Sequence, residues 1–118
     1  MEVKECYSRL HGNYEEAKQR LMNDKLIDRF LLMFPKDDSM ALLRNAVANK
    51  DIKESFRGAH TLKGVAANLA FTELQEAASN LTEQLRSCTA PADPVLVQKV
   101  EACYSRVMDS IKLYQAEK

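Results

Sequence analysis

Apolar residues recur at three- and four-residue intervals along most of this chain. Leu74, Ala77, Ala78, Leu81 and Leu85 mark one helical stripe. Leu96, Val100, Cys103, Val107, Ile111 and Tyr114 mark another near the C-terminus. No stretch of length alternates apolar and polar residues as a half-buried strand does. Capping signals divide the pattern. Asn13 with Glu16, and Asp51 with Glu54, have the form of an N-cap and its returning carboxylate. Thr72 with Gln75 reads as a full capping box, and Asp93-Pro94 places a capping carboxylate ahead of a first-turn proline. Pro35 ends an apolar run through Leu26, Ile27, Phe30, Leu31 and Phe34. Phe30, Met33 and Phe34 read as core packing. The predicted helices run over about 2–10, 14–21, 24–34, 37–49, 52–69, 73–87 and 94–116. Each has one apolar stripe to bury, and short connections favour antiparallel neighbours, so an all-α bundle follows.

Composition narrows the picture further. At 118 residues, the chain has room for one core. Three Gly and three Pro are too few for the tight turns of an all-β fold. Lys+Arg and Asp+Glu balance at 17 each, without the basic excess that nucleic-acid binding calls for. No apolar run approaches the ~20 residues of a membrane span, and the start lacks a signal peptide's apolar core, so the expected location is the cytoplasm. Cys6, Cys88 and Cys103 form no CxxC pair and read as small apolar fillers, with Cys103 expected to be the most buried. Two His far apart in sequence suggest no metal site. His11, next to Gly12 at a helix end, reads as structural.

The segment Asp51–Ala70 carries something extra. On a helix, Ile52, Phe56, Ala59, Leu62, Ala66 and Leu69 form its apolar side. His60 falls about 120° from the centre of that side, facing solvent or a groove edge. Gly64 lies one turn on with Ala67 beside it, and a mid-helix glycine costs about 1 kcal/mol relative to alanine. That cost makes sense where a partner approaches the backbone. Lys53 and Arg57 precede His60 on the same side, and Lys63 follows it at the core edge. A lone helical histidine is usually ordinary surface, but this one stands among cations beside a cleared patch. Imidazole is nucleophilic near neutral pH, and nearby cations would hold a phosphoryl group on it. No nucleotide-binding motif of a kinase is present, so a phosphoryl group on His60 would come from another protein.

The stretch Ala59-His60-Thr61-Leu62-Lys63-Gly64-Val65-Ala66-Ala67-Asn68-Leu69 resembles the signature of histidine-containing phosphotransfer (HPt) domains. The resemblance extends over roughly residues 13–115. It implies an antiparallel four-helix bundle, up-down-up-down, with extra short N-terminal helices: a single domain with residues 1–22 as extension and 23–117 as bundle. It implies that His60 is phosphorylated on Nε2, that Lys63 holds phosphoryl oxygens, and that Gly64 gives the partner room. Ala67, Arg57 and Lys53 are candidate docking residues around it. The implied partners are response-regulator receiver domains, a hybrid sensor histidine kinase, or both, with no resident cofactor and a Mg²⁺ supplied by the receiver. The chain would be a stoichiometric phosphocarrier in a two-component phosphorelay, not an enzyme. Two other readings stand beside this one: the phosphoacceptor domain of a larger, chemotaxis-type kinase, and a non-catalytic helical adaptor. The chain departs from the family pattern at Ala70, where relatives commonly have Gly. In the next helix Asn80, Thr82, Gln84 and Arg86 read as polar-side residues, any of them a potential neighbour of His60.

Overall fold

Four Asn or Asp side chains set where helices begin. Asn13, Asn23, Asp51 and Asp93 each accept a hydrogen bond from a first-turn backbone N–H. The computed structural model describes residues 1–118, as seven α-helices with no strand. These are α1 (Val3–Arg9), α2 (Tyr14–Leu21), α3 (Asp24–Met33), α4 (Ser39–Ala48), α5 (Ile52–Asn68), α6 (Thr72–Leu85) and α7 (Pro94–Ala116). Pro35 separates α3 from α4 through a single 3-10 turn at Phe34–Lys36.

The bundle is built by α4, α5, α6 and α7, each packed on the next. Gly58 brings α4 and α5 together: a Cβ there would sit 2.9 Å from the Leu43 Cα. The circuit closes between α4 and α7, where Arg44 pairs with Glu101 at 2.7 Å, and in the turn before α4 the Phe34 ring lies 5.9 Å from that of Tyr104 on α7. Helix α1 lies against α7, and α2 against α3. Cys6, Tyr7 and Leu10 are fully buried in the same core as the bundle residues. The Tyr7 hydroxyl donates to the Leu69 carbonyl at the end of α5, at 2.6 Å. Phe71 sits between Tyr7 and Phe34, with ring centroids 5.8 Å and 5.1 Å away.

The expected capping box at Thr72 and Gln75 does not form. Thr72 is already helical, and the cap position belongs to Phe71, which contributes no side-chain bond. The short connection explains this. Ala70 takes a left-handed conformation at φ 57°, and the Phe71 N–H donates back to the Ala66 carbonyl at 2.9 Å. That turn drives the Phe71 ring into the core and shifts the start of α6 back by one residue. Ala70 therefore occupies the position where a glycine was expected, in the conformation glycine favours.

The aromatic cluster before Pro35 is also split. Phe34 is buried, but Phe30 is 36% and Met33 53% exposed. Ile27, Leu31 and Phe34 share one face of the helical turns, and Phe30 and Met33 lie progressively off it. Among the cysteines, Cys6 is buried as deeply as Cys103, whereas Cys88 is exposed in the loop after α6 and fills no core space.

Candidate functional site

Helix α5 carries the candidate site. Its start is fixed by the Asp51 carboxylate, which accepts the Glu54 N–H at 3.1 Å. Ala59, Leu62 and Ala66 are buried in the core, as are Ser55 and Gly58. With those faces inward, His60 is exposed.

The imidazole is not free of the protein. Phe56, one turn earlier, is half-buried, and its ring lies almost parallel to His60 at 7°, with centroids 5.9 Å apart. Phe56 is therefore not a core residue like Ala59 or Leu62. From α6, the Arg86 guanidinium lies 5.5 Å from the centre of the same ring. Arg86 also donates through two nitrogens to the Glu83 carboxylate, at 2.9 and 2.8 Å. Those bonds hold the Glu83 carboxyl below its ordinary pKa against a small opposing effect of burial, and the charges of Arg86, Lys63 and His60 add to the lowering. Lys63, Glu83 and Arg86 thus place charges of both signs around His60 across the α5–α6 seam.

Lys63 is half-buried, as its place at the core edge requires, and the molecule's ion pairs leave it without an acidic partner. Arg57 is exposed and pairs with Glu54 at 3.0 Å. It borders a polar cleft between α4 and α5 together with Gly58 and Thr61, on the other flank of His60. Lys53 is exposed two turns before His60. A Cβ added at Gly64 would meet nothing within 4 Å. The fold does not require glycine there; the position opens to solvent. Ala67 is half-buried one turn further on.

Of the four polar residues read as potential neighbours of His60 along α6 and its C-cap, only Arg86 joins the site. Thr82 is fully buried, and its hydroxyl donates to the Ala78 carbonyl at 2.7 Å. Gln84 clamps the loop into α7 by donating to the Pro91 carbonyl at 3.0 Å and accepting the Asp93 N–H at 2.9 Å. Asn80 is exposed. Residue reading missed Phe56 and Glu83 as neighbours of His60. The four-residue spacing from Phe56 to His60 signals a face-sharing pair, but the apolar character of Phe56 placed it in the core. His11 is remote from this group; its Nδ1 pairs with Glu73 at 2.7 Å, tying the end of α1 to α6.

No group of three or more His, Cys, Asp or Glu side chains is placed to hold a metal ion, and no helix is long and apolar enough to cross a membrane. An exposed imidazole, a half-buried lysine and an open backbone position make a surface on which a small anionic group can be carried and handed on. A scan against protein-family models matches the Hpt domain over residues 25–110. Searches of curated proteins and of solved structures return no match.

Proposed function

Because the chain belongs to the Hpt domain family, the histidine phosphotransfer modules of phosphorelays, we propose that His60 is its phosphoacceptor and that receiver domains load and unload it. The Nε2 lone pair attacks the phosphorus of a receiver aspartyl phosphate in line. The N–P bond forms as the P–O bond to the aspartyl carboxylate breaks, and that carboxylate leaves with the bonding electrons. Reversal onto a second receiver regenerates the free imidazole. A Mg²⁺ ion that belongs to the receiver shares the charge of the transferring group. Lys63 supplies this chain's nearest uncommitted positive charge. Gly64 leaves space for the partner's surface, with Ala67, Arg57 and Lys53 around it. The protein acts as a stoichiometric carrier in the cytoplasm and brings no nucleotide chemistry of its own.

The observation that carries this reading is the exposure of His60 on a core-packed helix next to a glycine that the packing does not need. The test is incubation with phosphorylated receiver domains, using wild type and His60→Gln. Acid-labile, base-stable phosphate on wild type and none on the variant supports the relay. Unchanged signalling by His60→Gln in cells would favour the adaptor reading. Loading only by an ATP-using kinase domain, and never by a receiver, would favour the kinase-fragment reading.

A further inference from the structure

An exposed histidine on a helix ordinarily samples several orientations, because the torsion that turns its ring is broad. His60 is held differently. Its imidazole lies flat alongside Phe56, whose own ring is half-buried and contacted by the Arg86 guanidinium. Arg86 is in turn fixed by two bonds to Glu83. The ring thus rests on a platform supported from both helices. In-line attack on phosphorus depends on where the nitrogen lone pair points, and pre-setting that direction removes an entropic part of the barrier.

We propose that Phe56 is a positioning residue for phosphoryl transfer: it fixes the plane of the His60 imidazole so that the attacking nitrogen faces the incoming receiver. This inference rests on His60 being the phosphoacceptor. Phe56 acts through the ring it supports. Arg86 and Glu83 brace the platform across the seam, so the helix seam contributes orientation as well as charge.

The test uses the full chain with Phe56→Leu and Phe56→Tyr, loaded by phosphorylated receiver over a range of receiver concentrations. Phe56→Leu should lower the maximal loading rate by about tenfold, the size expected for lost orientation. The receiver concentration at half-maximal rate should stay unchanged, and Phe56→Tyr should retain the wild-type rate. NMR of the free protein gives a readout independent of loading. The His60 ring-proton signals should carry a ring-current shift in wild type and Phe56→Tyr, and lose it in Phe56→Leu. A Phe56→Leu loading rate within twofold of wild type overturns the proposal, as does a rate loss that Phe56→Tyr shares. Failure of wild type itself to take up phosphate would instead sink the phosphoacceptor reading on which this inference stands.

Discussion

The two helical glycines of α5 behave as opposites, although both lie within a few residues of His60. At Gly58 an added methyl would meet the Leu43 backbone at 2.9 Å. Gly58→Ala should therefore push α4 outward and cost about 1–3 kcal/mol. At Gly64 the added methyl meets open space, so Gly64→Ala should stabilise the fold by about 1 kcal/mol, read from urea denaturation. Gly64→Gln should leave the fold intact, with a melting temperature at or above wild type, but slow loading by receivers. Lys63→Ala should slow loading or shorten phosphohistidine lifetime without unfolding the bundle, as measured by phosphate release over time. Glycine alone does not tell these two roles apart in a sequence. One is set by the backbone of another helix, and no helical arithmetic on α5 contains that distance.

At the scale of the element, α5 was legible because its apolar spacing and its Asp51 cap both act locally. Asp51→Ala should cost about 1 kcal/mol, and amide exchange should rise first in the turn leading to Phe56. The start of α6 was not legible to the residue. Thr72 and Gln75 have the right chemistry for a cap, but burial of Phe71 and the left-handed turn at Ala70 outweigh it. The same limit applies to Phe56: its hydrophobicity pointed to the core, while its neighbours across the seam made it a platform. Thr82 errs in the other direction, since a hydroxyl that bonds its own helix backbone can be buried without cost to the core.

For the molecule as a whole, acid should loosen the contacts that join the first helices to the bundle. Burial opposes ionisation of Glu73, but hydrogen bonds from His11, Cys103 and Arg106 outweigh it and lower its pKa from the ordinary 4.5. Asp28 follows the same logic: burial raises its pKa, and bonds from Lys118 and Tyr114 bring it below the ordinary 3.8. Carboxylates depressed in this way stabilise the fold fully above those ordinary values and lose the effect as pH falls through the lowered ones. The melting temperature should hold steady from neutral pH to about pH 5 and decline below it. Glu73→Gln should flatten that acid limb. The Tyr7 hydroxyl reaches across the same junction to the end of α5, and Tyr7→Phe should cost about 1–2 kcal/mol by stranding the Leu69 carbonyl. The seat of α1 in the common core has a practical corollary. Kinship with other phosphotransfer modules is recognised from residue 25 onward, yet five residues before that point, Val3, Cys6, Tyr7, Leu10 and Ala17, are buried in the interior. A protein engineer who trims to the recognisable portion for a chimera or biosensor should recover a loosened, dye-binding species, because the outline shared with relatives is narrower than the unit that melts together.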